Sequence, residues 1–64
     1  MTFDDLMAMV DESTMIRIKT QDWQMENPLS AGTIRELMYN RVQNLVVREI
    51  TPKNAALMIW AEEK

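Results

Sequence analysis

Asp4, Asp5, Asp11 and Glu12 are the densest group of chemically capable side chains in this sequence: four carboxylates within twelve residues, with no base among them. Clustered carboxylates can hold a hard cation such as magnesium and support metal-assisted phosphodiester cleavage. Their spacing matches no metal-binding loop, and Asp4 and Asp5 also stand where negative charge favours the start of a helix. Neither cysteine nor histidine is present, so thiol nucleophiles, imidazole bases and the usual zinc clusters are excluded. Acid–base or nucleophilic work is left to carboxylates, serine, threonine, Tyr39 and lysine. No glycine-rich phosphate loop occurs. The reading is non-enzymatic, with no catalytic, cofactor-binding or metal-ligating residue assigned and no cofactor implied.

Two other groups point to binding. Arg17 and Lys19 alternate with isoleucines in a strand pattern, and Arg48 lies in another strand, so these three bases can project from a sheet toward nucleic acid, with Trp23 and Tyr39 available for stacking. The second group is apolar. Leu57 and Ile59 point one way while Met58 and Trp60 point the other, and Val46 and Ile50 similarly oppose Leu45 and Val47. A sheet with one wet face shows polar residues there, whereas these two strands are apolar on both sides. Val46, Ile50, Met58, Trp60 and Trp23 are therefore the candidate contact residues, covered by this chain's own helices, by a second copy or by a foreign protein. Seven methionines fit either core filling or adaptable contact.

Length sets the frame. With 64 residues there is room for a single domain, 1–64, and a chain of this size buries only about 60% of its unfolded surface. Disulfides and zinc are unavailable as staples, which leaves self-association as the remaining one and a homodimer or higher oligomer as the expectation. No apolar run approaches 18 residues and no basic-then-apolar leader is present, so the expected location is the cytoplasm, with no membrane contact. The net charge of −3 is unevenly spread: residues 1–12 carry −4, while residues 13–53 carry six bases against four acids.

The elements that must position these groups follow from periodicity and punctuation. Thr2 precedes Phe3, Leu6, Met7 and Val10, a helical stripe with Thr2 as N-cap. Thr14 to Thr20 alternates as a strand. Residues 21–28 form a turn or wide hairpin leading to a short edge strand at Leu29 to Ala31. Gly32 is expected in a conformation that disfavours side chains, followed by a capping box at Thr33-Ile34-Arg35-Glu36 and a helix over 34–42. Leu45 to Ile50 and Leu57 to Ala61 read as a closing hairpin with its turn at Thr51-Pro52-Lys53-Asn54. The fold expected is α+β, in the order α-β-β-α-β-β, with two short helices on one face of a small, mainly antiparallel sheet of three or four strands.

The segments TFDDLMAMVDESTMIRIKT, SAGTIREL, VVREI and ALMIWAEE together resemble short proteins encoded by phages and prophages of Gram-positive bacteria. The resemblance implies a phage accessory protein, a class that includes inhibitors of host defence such as anti-CRISPR proteins, acting in the host cytosol by occupying a surface. It carries over no functional residue, because the matched positions (Ile16, Ile18, Gly32, Leu57, Ile59) are fold markers. The function expected is protein–protein binding. A nucleic-acid-acting protein, either a DNA binder or a metal-assisted nickase, is the alternative, followed by a small virion or assembly component.

Overall fold

Helix α1 (Phe3–Met9) starts where Thr2 places it. The Thr2 hydroxyl accepts the Asp5 N–H at 3.1 Å, and the Asp5 carboxylate accepts the Thr2 N–H at 3.1 Å, closing a capping box that satisfies two free donors of the first turn. Phe3, Leu6 and Met7 are buried along its inner stripe. Strand β1 (Met15–Lys19) alternates as its sequence does, with Ile16 and Ile18 fully buried and Met15 and Lys19 exposed. After it, the Thr20 hydroxyl accepts the N–H groups of Asp22 and Trp23 and donates to the Trp23 carbonyl, which turns the chain back along β1 so that Met25 N–H reaches the Ile18 carbonyl.

The next stretch departs from expectation in three places. Helix α2 (Ala31–Leu37) is capped by Ser30, whose hydroxyl accepts the Thr33 N–H, so the helix begins three residues before the predicted box. Both residues are good caps. Ser30 prevails because the first helical N–H groups are drawn to β1's lead-in: Ala31 donates to the Thr14 carbonyl and Gly32 to that of Glu12. Gly32 is therefore an ordinary helical residue with no positive φ, and a Cβ there would meet the Glu12 Cβ at 3.4 Å, the near limit of ordinary contact. The helix expected over 34–42 breaks at Met38 (φ −123°, ψ 12°), giving a separate α3 (Tyr39–Val42) and leaving Leu37 72% exposed.

Strands β2 (Leu29–Ser30), β3 (Leu45–Lys53) and β4 (Ala56–Glu63) complete a four-stranded sheet in the order β2-β1-β4-β3. The sheet is mixed: β1 pairs antiparallel with β2 and β4 antiparallel with β3, but the central pair, β1 and β4, is parallel. Composition explains which strand is central. Pro52 has no N–H to donate and belongs on an edge, whereas the apolar run of β4 suits a strand flanked on both sides. Thr51, Pro52 and Lys53 of the predicted turn belong to β3, and the chain reverses one residue further on, at Asn54 and Ala55, both in the left-handed region (φ 53° and 62°) as a two-residue hairpin turn of the right-twisting kind requires.

The structure, a computed structural model, describes all residues from 1 to 64. One core of 13 buried apolar residues joins Phe3, Leu6 and Met7 of α1, Ala31 and Ile34 of α2, Val42 of α3 and Met25 of the loop after β1 to the inner side of the sheet at Ile16, Ile18, Leu45, Val47, Ile59 and Ala61. No helix is long and apolar enough to cross a membrane.

Candidate functional site: the open face of the sheet

All three helices feed the same core, so the opposite face of the sheet has no helix over it. Strand register identifies what it displays. Arg17, Met58 and Thr51 form one row across β1, β4 and β3, and Lys19, Trp60 and Glu49 form the next. Every outward residue of these three strands is exposed or half-buried. Met58 and Trp60 occupy the middle column, half-buried between flanking side chains.

Charge is sorted between the two sides of the molecule. Arg17, Lys19, Arg48 and Lys53, four of the seven bases, belong to the open face, with only Glu49 and Glu62 among the ten acids. Glu62 is engaged by Arg48, whose Nε donates to its carboxylate at 3.2 Å. Arg17 is held in place because its Nε donates to the Met25 carbonyl at 2.8 Å, which leaves the outer guanidinium nitrogens unspent. Two shallow hollows flank Met58. One is lined by Arg17, Lys53, Pro28, Asn54 and Ala56, the other by Lys19, Glu49, Thr51 and Trp60.

The structure brings together Arg17, Lys19, Arg48, Val46, Met58 and Trp60 and separates two other candidates from them. Between Val47 and Glu49 the ladder slips by one residue, a β-bulge that inserts Arg48. The slip reverses the alternation, so Ile50 pairs with Ile59 and lies on the helix side, opposite to Val46. Trp23 is also elsewhere: it packs against the core, with Arg41 of α3 4.5 Å from its ring centroid, in a polar cleft with Asn40, Asn44 and Lys64. Lys53, Glu49 and Thr51 were missed as site residues, since an alternation counted straight through Arg48 assigns them to the wrong side or to a turn.

The acidic N-terminal group has local employment. Hydrogen bonds from the Thr2 backbone and hydroxyl hold the Asp5 carboxyl below the usual carboxylate range, and those from the Ser13 hydroxyl and N–H do the same for Asp11. Asp4 accepts the Tyr39 hydroxyl at 3.2 Å, and its charge raises the Tyr39 pKa. Glu12 stands 3.8 Å from Arg35. No three Asp or Glu side chains gather where they would share an ion.

Both sheet edges are guarded. On β3 the Met1 carbonyl accepts the Val47 N–H, Thr2 bridges to Val46, Arg48 bulges and Pro52 lacks a donor, while β2 is only two residues long. Comparison with protein-family models, curated proteins and solved structures found no match.

Proposed function

We propose that this chain is a non-enzymatic binding module that works by presenting the open face of its sheet to a negatively charged partner. One observation carries the reading: in an acidic chain, most of the bases share with Met58 and Trp60 the one sheet face that no helix covers. An uncovered apolar pair ringed by charge is the anatomy of a contact surface, with an anchor at the centre and a polar rim. The resemblance to phage accessory proteins supports the same mode of action, occupation of a host surface, with inhibition of a host defence system as its biological form.

Self-association draws on the same face, because the guarded edges obstruct strand pairing between copies. The test compares three proteins: wild type, the open-face double variant Lys19→Glu/Trp60→Ser, and Leu37→Ser on the helix side. Capture of a host component by wild type and Leu37→Ser, lost with the double variant, is the expected result. Equal capture by all three overturns the assignment of the face. Sedimentation velocity of the same set reports whether a second copy uses it.

A further inference from the structure

Resting on that reading, we infer that the open face takes single-stranded nucleic acid, phosphate toward β1 and the hairpin tip, base against Trp60. Three chemistries are laid out in order across the strands. β1 contributes cations (Arg17, Lys19), β4 contributes an apolar column with an indole (Met58, Trp60), and β3 contributes acceptors beside the indole (Thr51, Glu49). A nucleotide presents the same three chemistries in sequence: an anion, a flat ring, and a base edge with amino donors.

The two hollows share this division of labour. Arg17 and Lys53 converge on the first, a site for a phosphate with no acid in its lining. Trp60 walls the second, where Glu49 and Thr51 offer acceptors to a base amino group and Lys19 stands at the margin for the next phosphate. Met58 lies between and lines both. Arg17 and Lys19 are alternate residues of one strand, about 6.6 Å apart along it, a spacing that successive phosphates of an extended strand can follow. Glu49 decides against an acidic protein segment as the occupant. Its carboxylate, beside the apolar anchor and already accepting the Thr51 hydroxyl at 3.3 Å, repels phosphate and carboxylate alike but accepts from cytosine or adenine amino groups, donors that acidic side chains lack. The eight acids on the rest of the molecule then oppose any second, wrapped contact and confine the strand to this face.

The test titrates the full chain with fluorescent single-stranded oligonucleotides of about 10 nucleotides, a matched duplex, and a polyglutamate peptide, at several salt concentrations. Trp23→Phe serves as the parent, so that indole emission reports Trp60 alone. The expected result is saturable binding of the single strand, quenching of Trp60, weaker duplex binding, and a log–log salt slope of about −2 for the three cation–phosphate contacts of Arg17, Lys53 and Lys19. Trp60→Leu weakens binding about tenfold while Trp60→Phe retains most of it. Lys53→Gln, at the exposed hairpin tip, reduces the slope by about 0.7 and remains informative should a Trp60 variant fail to fold. Absence of saturable strand binding at low salt overturns the inference, and so does equal or tighter binding of duplex. Polyglutamate binding that is lost with Trp60→Leu, without strand binding, overturns it while leaving the open face as the binding surface. Loss of host-component capture with the Lys19→Glu/Trp60→Ser variant likewise upholds the face independently of the strand.

Discussion

Ile59 and Trp60 are neighbours on β4, yet Ile59 is 1% exposed in a core that all three helices feed, while Trp60 lies half-buried on a face that no helix covers. The same three strands build both faces. The inner one is apolar through its centre, with Ile16, Ile18, Val47, Ile59 and Ala61 in the same core cluster as the buried residues of the helices, and it turns polar only at its end, where Glu63 pairs with Leu45. The outer one mixes an indole and a thioether with four bases and two acids. Burial of the first supplies the folding free energy, so the second is free to carry charged and polar residues beside its indole and thioether.

Alanine at position 59 gives the largest expected effect. Ile59→Ala leaves a void in the smallest kind of core and costs about 3–4 kcal/mol, enough to unfold much of the population in a thermal or urea titration. Trp60→Ser, one residue away, is expected to cost only about 1 kcal/mol by the same measurement, despite the larger side chain removed. Comparable losses at both positions would show that the outer face is covered. Thr2→Ala removes one half of the capping box that starts the inner face's first helix, and its expected cost is also about 1 kcal/mol.

A gain is expected at the hairpin tip. Ala55 is exposed with φ 62°, so Ala55→Gly relieves left-handed strain and raises stability by about 0.5–1 kcal/mol in urea, without changing either face. The smallest effect is on pH dependence. Asp5 has a lowered folded-state pKa, so its contribution is complete above the unfolded value near 3.8 and is lost as pH falls through the lower folded one. Asp5→Asn should flatten the acid limb of the stability profile in that window and leave the proposed binding by the open face unchanged at neutral pH. A change in that binding would mean that the helix side takes part in it.

Much of this fold was legible from residue types. Thr2 with the stripe at Phe3, Leu6 and Met7 marked α1, the alternation around Ile16 and Ile18 marked β1, and the apolar segments after Asn44 marked the closing hairpin. Of the candidate site, Arg17, Lys19, Arg48, Met58 and Trp60 were recognised in two separate groups, one basic and one apolar. That they share a face was not legible, because it follows from β1 lying parallel to β4, a contact between segments some forty residues apart. Ile50 was misplaced because one inserted residue reverses alternation, and nothing in VVREI distinguishes a bulged strand from a regular one.

Local chemistry by itself therefore determined where the main elements lie and the absence of thiol and imidazole groups, since caps, periodicity and side-chain inventory are properties of neighbouring residues. Only the tertiary structure decided which strand is central, where the bulge falls, and that Trp60 faces out between Lys19 and Glu49, on the side that also bears Arg17 and Lys53. Those are consequences of long-range pairing, in which the two-sided apolar run of β4 takes the middle and the proline of β3 keeps to the edge.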